Sequence, residues 1–181
     1  MSAIELMKNE HEYIKRMLSV VRNMCMEFID EGELDYGDFE SVIDFIRNFA
    51  DGHHHNKEEI LLFNRMVDNI DTIGEKLITH GMLVEHDLGR LYVSNLEKSL
   101  NQFKAGDNES KLDIIANAVS YTNLLSSHID KEDRVIFEFA NRELDIELLD
   151  IVDRECDKYE VENREIREKY INLLENLELK Y

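Results

Sequence analysis

The sequence predicts an all-α fold, an up-and-down four-helix bundle with an additional C-terminal helix. Three features lead there. The 181 residues contain no proline, so nothing forces a break inside a helix. Apolar residues recur at three- and four-residue intervals over long stretches, the period of one helix face. Turn-forming runs such as "DEGELD", "NIDTIGE" and "KAGDNES" are short and fall between those stretches.

The first helix can start at Ser2, where "SAIE" reads as a capping box, and run to about Asp30. Ile4, Met7, Ile14, Leu18, Val21 and Cys25 form its apolar stripe. A second helix from near Asp35 to about Asn69 carries Phe39, Ile43, Ile46, Ala50, Leu61, Leu62 and Met66, and Gly52 interrupts it without ending it. The third covers roughly Lys76 to Phe103, with Gly106 as its C-cap and Asp107 as the next N-cap. The fourth runs to about Asn141, with Ile114, Ala118, Tyr121, Leu125, Val135 and Phe139 along one side. The remainder reads as a fifth, highly charged helix or a bent pair. Its Leu148, Val152, Tyr159 and Ile166 would lie against the outside of the other four. The expected organisation is a bundle over residues 1–141 and a helical extension over 142–181 packed on it.

Lys and Arg number 21 against 40 Asp and Glu, for a formal net charge of −19. That balance argues against nucleic acid and anionic membranes as partners, since both would repel it. Most of this charge reads as a solvated helical exterior. Cys25 and Cys156 lie far apart with no CxxC spacing, which fits buried apolar thiols in a reducing cytoplasm. "MSAIELMKNEHEY" lacks the basic and apolar parts of a signal peptide, and no apolar run approaches a membrane span. A soluble, cytoplasmic protein is expected.

The chemistry concentrates in "GHHHNKEEILLF", from Gly52 to Phe63. "HHNKEEILLF" from His54 and "HIDKEDRVIF" from His128 match at His54 with His128, Glu58 with Glu132 and Phe63 with Phe137. On a helix, a four-residue spacing puts both side chains on one face, about 6 Å apart along the axis. Each His–Glu pair can therefore clamp one metal ion or span two. A weaker repeat links "NEHEYIKRM" around His11 with "VEHDLGRLY" around His86. Helices one and three thus offer one histidine each, and helices two and four offer His plus Glu. Imidazole with carboxylate suits iron, and two carboxylates are enough to bridge a metal pair.

Over roughly its first 140 residues the chain resembles the hemerythrin-like family, the HHE cation-binding bundles, through "HHHNKEEILLF", "EHDLGR" and "HIDKED" in order. The resemblance implies two iron ions in a non-haem di-iron centre held by carboxylate bridges and histidines. Carried over, the ligands are His11, His54, Glu58, His86, His128 and Glu132, with Glu58 and Glu132 as bridges. Oxygen-carrying members place two histidines four apart on the third helix, whereas the residue four before His86 is Met82. His55, about 100° round the helix from His54, could supply the missing nitrogen to the second metal. Asn64 stands where relatives often have proline. His53 and His80 read as surface or satisfied core residues, and Arg90 as an ion-pair partner. Tyr121 reads as core packing or as support behind a ligand. Gly52, Gly81 and Gly89 could thin the bundle beside the metals.

The implied function is binding of a small oxidant, dioxygen, peroxide or nitric oxide, as carrier, scavenger or peroxidase-like protein, with a redox partner protein possible. An iron-handling or iron-delivery protein, with metal as cargo, is the alternative. A structural zinc bundle fits poorly, because closed tetrahedral sites do not use open carboxylate-bridged pairs.

Overall fold

The computed structural model describes residues 1–181 as six helices without a strand. These are α1 (Ala3–Glu31), α2 (36–69), α3 (72–104), α4 (110–143), α5 (Ile146–Glu162) and α6 (Arg164–Glu178). Local chemistry fixes their ends. The Ser2 hydroxyl accepts from the Glu5 amide at 3.2 Å while the Glu5 carboxylate accepts from the Ser2 amide at 2.9 Å, a complete capping box. Gly32, at φ 80°, closes α1 in a conformation that side chains resist. Asp71 accepts from the amides of Ile73 and Gly74, so α3 begins at Thr72, earlier than the periodicity alone indicated. Gly106, at φ 100°, turns the chain, and Asp107 accepts from the Glu109 amide and the Ser110 hydroxyl to open α4.

In the bundle α1 packs on α2 and α4, and α3 on α2 and α4. The C-terminal residues form a bent pair, α5 and α6, lying along α1 and α2. Asn163, at φ −111° and ψ 16°, breaks the pair and resets its register. For that reason Ile166 does not continue the stripe of Leu148 and Val152. It is 41% exposed, and Tyr170, Leu174 and Leu177 take its place in the core.

The buried apolar side chains fall into two main clusters. One runs from Ile14 through Phe49, Val93 and Leu125 to Leu174. The other gathers Ile4, Met7, Phe63, Met82, Ile136 and Phe137. Between them, at the level of His11, lies a buried polar layer. Here the helices widen: residues 46–55 and 58–63 of α2, 78–82 of α3 and 132–136 of α4 are π-helical. Such turns are rare and concentrate at functional sites. In α2 the wide turn brings the Arg47 carbonyl oxygen within 2.9 Å of where a β-carbon on residue 52 would stand, which explains Gly52.

Candidate metal centre

The three consecutive histidines each face a different neighbour. His53 turns to α5, where its Nε2 is 3.0 Å from Glu160, and to Glu10 of α1 at 3.1 Å. His54 turns to α1, its ring 4.6 Å from that of His11. His55 turns to α3 and stacks on His86, centroids 3.9 Å apart and planes 9° apart. None is more than 6% exposed. An isolated helix would leave one of three successive residues in water; here α1, α3 and α5 cover α2 on three sides.

Two donor groups form around a shared carboxylate. His11, His54, Glu58 and Glu132 make one, and His55, Glu58, His86 and His128 the other, with the donor atoms in each within 4.8 Å of one another. Glu58 Oε1 is 3.4 Å from His54 Nε2 and 3.7 Å from His11 Nε2, while its Oε2 is 3.8 Å from His86 Nε2. Glu132 also reaches both groups, at 3.3 Å from His11 Nε2 and 3.1 Å from His128 Nε2. The seven residues named from the sequence thus converge on one polar layer. Met82 lies apart in an apolar cluster, and His55 occupies space beside His86.

Each of these imidazoles has its Nδ1 on a carboxylate. His54 is held by Glu10 of α1 at 2.9 Å and His86 by Glu59 of α2 at 2.7 Å. His128 is held by Glu85 of α3 at 2.9 Å, and His11 by Asp133 of α4 at 2.8 Å. Every bundle helix therefore orients a histidine on the next, and the ring closes. His55 is held from within its own helix by Asp51 at 3.3 Å. Cations in turn hold the carboxylates: Lys57 on Glu10, Lys131 on Glu85, Lys15 on Asp133, and Arg90 on both Asp51 and Glu59. With Nδ1 so engaged, each Nε2 is left as the atom aimed at the centre, the arrangement that fixes metal-binding histidines.

Those inner atoms test whether a metal fits. His11 Nε2, His54 Nε2 and all four carboxylate oxygens of Glu58 and Glu132 are buried without a hydrogen-bond partner. His86 Nε2 and His128 Nε2 face each other at 3.0 Å. These atoms lie close to one another, but a buried polar atom left without a well-formed hydrogen bond costs about 1–3 kcal/mol. Cations among them would satisfy the whole set. The donors fit a metal pair.

The electrostatics agree. Burial and neighbouring Glu132 both push Glu58 up, yet His54 and His11 outweigh them and hold it below the usual carboxylate range. Burial lowers His128 and His86, but Glu132, with Glu85 or Glu59, carries them up to about 10 and about 9. His55 goes the other way, pushed by burial and by His86 down to about 3. A cavity of about 110 Å³ opens beside His55 and His86, walled by Gly89, Val93 and Tyr121, with Arg90 at its edge. Gly81 has open space around it, and His80 bonds only Thr79.

Arg90 pairs with acids as its sequence position implied, and the supporting carboxylates and lysines also lie within the repeats. Glu10 and Glu85 each precede a single histidine, Glu59 and Asp133 each follow a central glutamate, and Lys57 and Lys131 match in offset. No helix is long and apolar enough to cross a membrane. No match was found among curated proteins. The hemerythrin HHE cation binding domain matches residues 2–140, which contain all seven central donors. The chain belongs to that family.

Proposed function

We propose that the polar layer holds two iron ions and binds a small oxidant, dioxygen, peroxide or nitric oxide. The observation that carries this reading is the set of unpartnered inner atoms, shared out by Glu58 and Glu132 between two groups of imidazoles. Carboxylates placed to bridge, with imidazoles on either side, suit iron better than a closed tetrahedral zinc site. An iron pair held there would supply redox change and binding of a small ligand.

The protein's own contribution is orientation and exclusion of water. The ring of Nδ1 contacts fixes the tautomers, and the apolar clusters above and below keep solvent out. His55, His86 and His128 would give one ion three nitrogens, and His11 and His54 would give the other two. Both cysteines are free and buried, which supports a reducing, cytoplasmic setting. A redox partner protein would restore the reduced state.

Anaerobic iron loading, followed by spectra on exposure to dioxygen, peroxide and nitric oxide, tests this. Absorption bands of a bridged iron pair that change with oxidant are expected. Readily chelated iron without oxidant response would favour iron delivery. One zinc and no iron, in protein made in iron-replete medium, would sink the proposal.

A further inference from the structure

We propose that the C-terminal extension is a working part of the centre: Glu160 on α5, acting through Lys57 and Glu10, positions the His54 ring. It would thereby set how firmly the His11–His54 side keeps its ion. This rests on the two-ion reading above.

Lys57 is a fully buried lysine, 0% exposed, on the helix that carries His54 and Glu58. Its ammonium contacts Glu10 and Glu160 and lies 3.2 Å from His53 Nε2. Glu10, also 0% exposed, divides its carboxylate. One oxygen takes Lys57 and His53, and the other takes His54 Nδ1. Glu10, His53 and Glu160 could by themselves gather round a cation. Lys57 already supplies it.

A buried ammonium is costly unless its charge is matched. Without Glu160, Glu10 would be the sole carboxylate on Lys57 and would have to serve it and His54 together. The repeat provides an internal comparison. Lys131 occupies the equivalent place and pairs with Glu85 behind His128, but its side chain is 46% exposed and water shares the work. Lys57 is buried away from solvent, and α5 brings it a second carboxylate. The extension is anchored independently as well: Asp153 accepts from the Ala3 amide at 2.7 Å, and the Tyr159 hydroxyl donates to the Gly52 carbonyl at 3.1 Å.

The test uses the full chain and two readouts. In metal-free protein with ¹⁵N-labelled histidine, Glu160→Gln should shift the His54 ring nitrogens and leave His86 and His128 in place. Lys57→Gln, which breaks the same network from the bundle side, should shift His54 too. Asp153→Ala, which loosens docking without touching the network, should not. In protein loaded with cobalt(II), Glu160→Gln should accelerate release of one ion to a chelator by about tenfold and leave the other unchanged, in line with outer-partner losses at other metal sites. An unmoved His54 ring in both network variants would overturn the proposal. So would equal acceleration of both ions, or an Asp153→Ala variant that behaves like Glu160→Gln. If the wild-type chain fails to take up two ions, the two-ion reading fails, and the ring shifts still decide the role of Glu160.

Discussion

The His54 half and the His128 half of the centre are built from one repeated pattern, yet one is enclosed and the other open. Each half has a histidine, a lysine three residues on and a glutamate after that, backed by a glutamate from the preceding helix. Their surroundings separate them. Lys57 is wholly buried beneath α5, whereas Lys131 faces solvent. Behind His55 and His86 stand Asp51, Glu59 and a half-exposed Arg90, next to the cavity. The donors repeat from one half to the other, and the layer outside them sets how far each half is exposed to water.

The largest effect should come from the residue both halves share. On the proposed two-iron reading, Glu58→Ala removes a donor from each group, so iron content should fall from about two per chain to well below one. The metal-free chain should remain folded, because a buried carboxylate without a metal is itself costly. Metal analysis that finds the full complement would break the picture of a common centre.

Removing one histidine should separate the halves. His54→Ala should cost the ion on its own side and loosen Glu10 and Glu58. His55→Ala should keep the His11–His54 ion and weaken the other, changing the oxidant-bound spectrum. Equal losses in both variants would mean that adjacent residues do not serve different ions. If His55→Ala matches wild type in iron content and chelation rate, His55 is only a packing partner of His86.

Protons offer a third route. His86 and His128 are raised to about 9 and about 10, against about 6.5 in an unfolded chain. A raised value means the protonated ring is favoured by folding. The stability this gives the metal-free chain is complete below pH 6.5 and is lost as pH rises through about 9 to 10. The metal-free chain should therefore melt several degrees lower at pH 10 than at pH 7. Loading at pH 7 must also displace these protons, so calorimetric heats should depend on the buffer's ionisation enthalpy. Heats independent of the buffer would show that the rings are already neutral.

Much of this was legible in the residues because it is local or repeated. The capping box at Ser2, the helical stripes and the matched offsets of His54–Glu58 and His128–Glu132 need only helix geometry. The ring of supporting carboxylates was present in the same repeats, but its meaning depends on which helix each side chain meets. Glu160 looked like one charge among many on a polar helix, and only the docking of α5 singles it out. The π-helical turns have no periodic signature over so short a span, so the burial of His53, His54 and His55 together could not be read from spacing. Spacing alone puts Ile166 in the stripe of Leu148 and Val152, but the break at Asn163 ends one apolar register and starts another.

The smallest effect tests whether the open half is the way in. A β-carbon on Gly89 would stand 3.7 Å from Tyr121 Cε2 and 4.0 Å from Leu124 Cδ2, which is ordinary contact. Gly89→Ala should therefore fit. By removing backbone freedom from a helix interior it should stabilise the protein by about 0.5–1 kcal/mol, or about 2–4 °C per kcal/mol in melting temperature. Iron content should not change. Gly89→Leu is different, since its longer side chain would extend into the cavity of about 110 Å³ beside His55 and His86. If small ligands enter there, the association rate of nitric oxide should fall several-fold while both irons stay bound. The enclosed side cannot easily substitute, because α5 covers it. An association rate untouched by Gly89→Leu would reverse the comparison. The route would then pass on the side of His11 and His54, and Gly89 would serve only the close packing of α3 on Tyr121.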